Sequence, residues 1–322
     1  MDVLTTSDSD LERAAALLRA GELVAIPTET VYGLAADASN PKAVHAIFAA
    51  KGRPADHPVI VHLPSFSAID DWAAEVPEVA RLLAGEFWPG PLTLILPRAA
   101  NVDPIITGGQ DTIGLRVPAH PATQALLQRF GGAVAAPSAN RFGHVSPTTA
   151  AHVQAEFGDE VAAVLDGGPC KVGVESTIVD LSVEVPRLLR PGMIPVSALE
   201  HVLQTPLALP TDQQGPRASG RLPSHYAPRA PVRLVAGEEL TAAAAVAAEL
   251  GPVAVVSHQP GPASRPGVYW QSLPGDPAGY AQALYAALRA ADEKQPAEIL
   301  VERVPEHEDW AAIADRLERA AA

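Results

Sequence analysis

Leu23-Val-Ala-Ile-Pro-Thr-Glu-Thr-Val-Tyr-Gly-Leu34 is the stretch from which the fold of this chain is read. Leu23-Val-Ala-Ile26 is a short apolar run of the kind that forms a buried strand, and Pro27 and Gly33 punctuate its end. If the segment continues extended, its side chains alternate, so Thr28 and Thr30 leave on one face and Glu29 on the other. Hydroxyls at a strand end stand where α/β sheets bind ligands. The next segment reads as a helix. Ser39 or Asn40 is the N-cap, Pro41 fits the first turn, Ala43, Ile47 and Phe48 form one stripe, and Gly52 with Pro54 is the stop. Lys51 and Arg53 therefore stand at a helix C-terminus. They either offset its dipole or join other cations in an anion site, and this segment does not choose between the two.

Outward from there, residues 8–20 predict a first helix with Leu11, Ala14, Leu17 and Leu18 on one face. Residues 70–87 are helical in pattern, with Pro77 as an interruption. Trp88-Pro-Gly-Pro-Leu-Thr-Leu-Ile-Leu-Pro97 is a turn leading into a buried strand. Residues 112–118 form another strand, with Thr112, Gly114 and Arg116 on one face and Ile113, Leu115 and Val117 on the other. A helix runs from Pro121 to Phe130, a strand ends in the turn Pro137-Ser-Ala-Asn140, and Ser146-Pro147 starts a helix to about Phe157. Strands over 162–168 and 176–181 follow, and Leu188-Leu-Arg-Pro-Gly192 closes the region. Strands and helices alternate irregularly, which predicts an α/β fold with a mixed sheet. Residues 206–231 are rich in Pro, Gln, Gly and Ser and read as an interdomain linker. Residues 232–322 then read as a second, smaller α/β layer, after a first domain spanning 1–205.

Composition narrows the chemistry. At 322 residues, 48% of them hydrophobic, the chain can build two cores. A formal net charge of −14 argues against gripping a long nucleic acid. One cysteine, Cys170, excludes an internal disulfide and a Cys-based zinc site and fits a reducing compartment. The 10 histidines are scattered, so no dedicated metal cage is expected, although Mg2+ carried by nucleotide phosphates needs few protein ligands. No P-loop, dinucleotide fingerprint or nucleophile elbow is present. The N-terminus has neither a basic nor an apolar leader and no apolar run approaches the roughly 20 residues of a membrane span, so a soluble cytoplasmic protein is expected. What remains is a set of hydroxyls and cations at strand ends and turns: Thr28, Thr30, Lys51, Arg53, His62, Arg116, Ser138, Asn140, Ser146, Ser176 and Arg190. Singly each has an ordinary reading: Ser138 and Asn140 as turn formers, Ser146 as an N-cap, His62 as a strand residue at a surface. Their recurrence at strand ends suits phosphate and carboxylate recognition.

Pro27-Thr-Glu-Thr-Val-Tyr-Gly-Leu34, Lys51-Gly-Arg53, Trp88-Pro-Gly-Pro-Leu-Thr93, Ala136-Pro-Ser-Ala-Asn140, Gly173-Val-Glu-Ser-Thr177 and Leu189-Arg-Pro-Gly192 together resemble the YrdC-like domain of the L-threonylcarbamoyladenylate synthase family. Ser224-His-Tyr-Ala-Pro228 and the α/β tail resemble the long, two-domain form. The resemblance implies a twisted mixed sheet with a deep cationic cavity and a Rossmann-like C-terminal domain. It implies synthesis of threonylcarbamoyl-AMP from L-threonine, bicarbonate or carbon dioxide, and ATP, with release of pyrophosphate. No tightly bound cofactor is implied, ATP being a substrate accompanied by Mg2+. The product would pass to threonylcarbamoyl-transferase proteins that modify the adenosine beside the anticodon of certain tRNAs. Carried over by motif position, Thr30, His62, Arg116, Ser176 and the Ala136 backbone would hold threonine. Arg53, His57, Thr112, Ser138, Asn140, Ser146 and Arg190 would face ATP, Lys51 and Arg53 would serve catalysis, and Tyr226 on the linker would close over the nucleotide.

Displacement at the α-phosphorus needs positioning and charge neutralisation more than a protein nucleophile, which fits a cavity without a catalytic dyad. Two rivals stand beside this reading. A carbamoyltransferase-type maturation factor would need Cys-rich zinc modules that one cysteine cannot build. An RNA-binding protein using the cationic cleft runs against the net charge, and strong direct tRNA binding is not expected.

Overall fold

The computed structural model describes residues 1–209, 215–220, 222, 224–262 and 266–322, so residues 210–214, 221 and 223 of the expected linker lie outside those described. The chain divides into two units. The first comprises 1–142, 147–171 and 175–221, and the second comprises 143–146, 172–174 and 222–322.

Ten strands build the sheet of the first unit: β1 (Asp2–Leu4), β2 (Val24–Ile26), β3 (Gly33–Asp37), β4 (Ile60–His62), β5 (Leu92–Pro97), β6 (Thr112–Arg116), β7 (Val134–Ala135), β8 (Ala163–Leu165), β9 (Thr177–Asp180) and β10 (Arg187–Arg190). Their order is β1-β8-β2-β3-β7-β4-β6-β5-β9-β10. β4 pairs parallel with β6 and β5 parallel with β9, whereas β5 with β6 and β2 with β3 are antiparallel, so the sheet is mixed as expected.

The strands bury both faces, and their period of two sorts successive residues between two cores. Val24 and Ile26 join Leu11, Leu18, Leu126 and Leu127 under the helices Asp8–Arg19 and Pro121–Phe130. Ala25, Leu34 and Ala135 join Ile47, Phe48, Leu83 and Leu199 under the helices Pro41–Lys51, Glu78–Phe87 and Val196–Leu203. Asn40 is the N-cap of Pro41–Lys51, its side chain accepting from the Lys42 and Ala43 amides, and Gly52 ends that helix at φ 61°. That conformation favours glycine, as the sequence predicts.

Two expectations are corrected, and three elements were not foreseen. Residues 70–87 are not one helix: a 3-10 turn covers Phe66–Asp71, and the helix begins after Pro77, which is its N-cap. A proline that cannot continue a helix is tolerated at its start. Ser146 is not an N-cap, because the helix runs over Ala150–Phe157 with Thr149 as its cap. β1 and β3, and the short helix Pro104–Thr107, were not read from the pattern.

The second unit carries four strands, β11 (Val232–Val235), β12 (Val253–Ser257), β13 (Val268–Ser272) and β14 (Glu298–Glu302), in the order β11-β14-β12-β13. All three pairings are parallel, as expected of a Rossmann-like layer. The helix Pro277–Asp292 buries Tyr280, Leu284, Tyr285 and Leu288. Tyr226 belongs to this unit, stacked 5.9 Å from Tyr285 with the Arg316 guanidinium 5.2 Å from its ring centroid. No helix among the described residues is long and apolar enough to cross a membrane.

Candidate active site

Strand register assembles the first half of the site. His62 ends β4 and Arg116 ends β6, and the two are partners on the parallel ladder. Side chains on one rung of neighbouring strands share a face, so a ring and a guanidinium are brought together at the carboxyl ends of two strands. Both are buried. Burial, with Arg116 beside it, pushes the His62 ring down to about 3, so it is neutral at physiological pH. Its Nδ1 is buried and has no hydrogen-bond partner among the described residues.

Arg116 is held by its inner edge. Nε donates to the Gly90 carbonyl at 3.1 Å and Nη2 donates to Glu29 Oε1 at 2.6 Å. Gly90 belongs to the Trp-Pro-Gly-Pro turn, whose Trp88-Pro89 bond is cis. Its own amide donates to the Val117 carbonyl at 2.8 Å, so the turn clamps the end of β6 from both polar groups. A Cβ on Gly90 would lie 2.2 Å from the Phe87 carbonyl oxygen, which requires glycine there.

The loop that opens the sequence analysis delivers the hydroxyls. Thr28 Oγ1 lies 2.8 Å from Thr30 Oγ1, donates to the Val31 carbonyl at 2.6 Å, and accepts from the Thr30 and Val31 amides at 3.2 Å each. The expectation that Thr28 and Thr30 leave together therefore holds. Glu29, sent to the opposite face by strict alternation, also turns inward, because residues 27–32 form a tight loop and not a strand. The Ala136 amide donates to the Ile60 carbonyl at 3.0 Å, so only its carbonyl can meet a ligand.

Ser176 connects this half of the site to the second. Its hydroxyl lies 2.8 Å from Thr93 Oγ1 and accepts from Arg190 Nη2 at 3.1 Å. Arg190 also donates to the Ser176 carbonyl from Nε and Nη2, and from Nη1 to the Ser219 carbonyl at 2.8 Å. Arg53 Nη2 donates to the Pro58 carbonyl at 2.9 Å and reaches Ser219 Oγ at 3.4 Å. Two guanidiniums thus converge on the oxygens of one residue. Thr112 lines a small cavity beside this point, together with Ile60, Gly114, Ile178 and Ser219. His57 packs edge-on to Phe142 at 5.2 Å, and burial followed by the charge of Arg53 lowers its pKa.

Lys51 is placed differently from either sequence reading. Its ammonium is buried and donates to the carbonyls of Ser138 and Asn140, pinning that turn. Burial, with Arg53 nearby, lowers its pKa well below the usual range. Asn140 is buried and its amide donates to the Arg141 carbonyl at 2.8 Å. Ser146 and Tyr226 fall in the second unit. Sequence reasoning did not single out Thr93, Gly90 or Ser219, and assigned Glu29 no role. Thr93 and Gly90 lie in the quoted Trp-Pro-Gly-Pro-Leu-Thr motif, so a signal was present. Ser219 carried none.

A family profile described as "Telomere recombination", covering the Sua5, YciO and YrdC proteins, matches residues 16–192. A second, described as "Threonylcarbamoyl-AMP synthase, C-terminal domain", matches residues 194–322. The threonylcarbamoyl-AMP synthase of Bacillus subtilis is 39% identical over 329 residues, which is 99% of this chain and 95% of that protein. That of Pyrococcus abyssi is 46% identical over 228 residues, 70% of this chain and 67% of that protein. A crystal structure of P. abyssi Sua5 complexed with L-threonine superposes with a TM-score of 0.92 at 37% identity, covering 100% of this chain and 98% of that one. With both halves matched in order and a full-length relative at this identity, the chain belongs to the threonylcarbamoyl-AMP synthase family.

Proposed function

We propose that this chain makes threonylcarbamoyl-AMP and pyrophosphate from L-threonine, bicarbonate or carbon dioxide, and ATP. The observation that carries this reading is the rung joining His62 to Arg116, whose guanidinium is held by the Gly90 carbonyl and by Glu29 of the Thr28–Thr30 loop. A guanidinium with one edge fixed presents the other as a planar fork for a carboxylate. A buried, neutral imidazole whose Nδ1 has no partner among the described residues is a natural contact for a ligand hydroxyl or amine.

In the reaction, the threonine amine forms an N–C bond to carbon dioxide and loses a proton, giving a carbamate. A carbamate oxygen then attacks the α-phosphorus as the bond to pyrophosphate breaks. Arg53 and Arg190, convergent on Ser219, would neutralise the charge of a nucleotide phosphate. Mg2+ would arrive with the nucleotide phosphates and neutralise the same charge. Lys51 serves this site by fixing the turn that presents Ser138 and Asn140. The product would pass to proteins that transfer the threonylcarbamoyl group to tRNA, and a net charge of −14 fits an enzyme that does not itself hold the tRNA tightly.

Mass spectrometry of the purified protein with threonine, bicarbonate and MgATP tests the proposal. Threonylcarbamoyl-AMP and pyrophosphate should form together and only when all three substrates are present. ATP turnover of equal rate without threonine would overturn it.

A further inference from the structure

Glu29 lies between Thr28 and Thr30, beside the one threonine that the motif assigns to the substrate. It is buried, with Oε1 accepting from Arg116 Nη2 at 2.6 Å and Oε2 accepting from the Ala119 amide at 2.9 Å. A carboxylate this close to the threonine pocket changes what the pocket recognises. Arg116 alone would attract any carboxylate. With Glu29 attached, the pair is neutral before a ligand arrives.

The titratable groups around Glu29 do not alter that sum, and Arg190, which reaches Ser176 from the other half of the site, keeps its charge in wild type and variants alike. His62 is neutral, as argued above. His120, within the field of Glu29, is held below its usual value mainly by burial, so it too is uncharged at neutral pH. The Cys170 thiol beside Thr28 is pushed up to about 12 by burial and stays protonated. Lys171 is exposed, and its charge is screened by solvent.

We propose that Glu29 makes the threonine pocket select zwitterionic amino acids over plain carboxylates. A carboxylate alone would leave the buried Glu29–Arg116 pair with an uncompensated negative charge. An amino acid brings its own ammonium, which meets the carboxylate of Glu29 across the pocket. Glu29 also acts as a positioning residue: with Gly90 it fixes the Nε–Nη2 edge of Arg116, so the Nη1 end, which has no hydrogen bond to any described residue, faces the ligand. The inference rests on threonine being the substrate.

Calorimetry at pH 7.5 with L-threonine and with (3R)-3-hydroxybutyrate, the same molecule without its amine, tests this. Wild type, Glu29→Gln and Glu29→Asp are compared, each with a melting curve. In wild type the hydroxy acid should bind at least about 100-fold more weakly than threonine, the order of a unit charge acting over about 6 Å in a partly desolvated site. In Glu29→Gln that ratio should shrink by about 10- to 100-fold, with the hydroxy acid gaining affinity and threonine losing it, while Glu29→Asp keeps the wild-type ratio. Equal weakening of both ligands in a folded Glu29→Gln protein would reduce Glu29 to a structural brace and overturn the proposal. If Glu29→Gln does not fold, the wild-type measurement decides: a hydroxy acid within about tenfold of threonine overturns it. Wild type binding neither ligand would sink the threonine reading itself, and is distinguishable from both results.

Discussion

Replacing Arg116 by lysine keeps one positive charge in a buried place and removes the planar fork. The structure indicates what is lost. Arg116 uses Nε on Gly90 and Nη2 on Glu29, and on the proposed reading its Nη1 end is left for the ligand. A lysine ammonium is a single centre, and drawn to Glu29 it cannot also reach the Gly90 carbonyl and a ligand carboxylate. Losing a charge-assisted bidentate contact should cost about 1.5–3 kcal/mol, or roughly 10- to 150-fold in the Kd for threonine. The charge paired with Glu29 is retained, so the protein should fold. Arg116→Ala, by contrast, leaves a buried carboxylate unpaired and should destabilise by about 3–5 kcal/mol. Calorimetry of Arg116→Lys with threonine and with a non-hydrolysable ATP analogue is the assay. The analogue should bind as in wild type, because Arg53 and Arg190 are untouched. A threonine Kd within about threefold of wild type, or equal loss of both ligands, would refute the assignment of the fork to the amino acid.

Other outcomes are open to direct measurement. Gly90→Ala places a Cβ 2.2 Å from the Phe87 carbonyl oxygen, so the turn must shift. Stability should fall by about 1–3 kcal/mol and threonine affinity with it, and a variant that melts and binds like wild type would contradict the clamp. His62 has its folded pKa lowered from 6.5 to about 3. Its neutral form therefore contributes stability that is complete above pH 6.5 and is lost as the pH falls from there towards 3, by about 1.4 kcal/mol per pH unit. Urea titrations of His62→Asn should show a flatter acid limb than wild type, and an unchanged slope would count against a buried neutral ring. Cys170, buried with its thiol pushed up to about 12, should resist iodoacetamide in the native protein and react on unfolding. Equal labelling rates in both states would show the thiol to be accessible.

Much of this was legible in the chain, and the failures have physical causes. β2, β5 and β6 are short apolar runs bounded by Pro and Gly, and period two in β6 correctly separated Arg116 from Ile113 and Leu115. β3 escaped because it begins at Gly33, read as punctuation, and continues through alanines without β-branched side chains. β1 is three residues long with one of them buried, too little for any pattern. The Ser146-Pro147 signal was local and lost to Thr149, whose side chain meets the His152 amide. Glu29 was sent to the wrong face because alternation was carried past the end of the strand into a loop. The pairing of Thr93 with Ser176, and the meeting of Arg53 with Arg190 at Ser219, depend on which strands become neighbours. No run of local residues encodes that.

The rung between His62 and Arg116 has a consequence for how the protein comes into being. Parallel β4 and β6 cannot be joined by a hairpin, and the chain between them must also lay down β5, which pairs on the far side of β6. Such non-local pairing forms slowly, because loop-closure entropy opposes it until the sheet around it exists. The proposed amino-acid pocket therefore cannot exist in a nascent chain that has not yet released β6 and β9. On the proposed reading threonine binds the native state alone, and at 100 times its Kd it would stabilise that state by about 2.7 kcal/mol. The substrate would then act as a counterweight to unfolding, holding together strands that lie far apart in the chain.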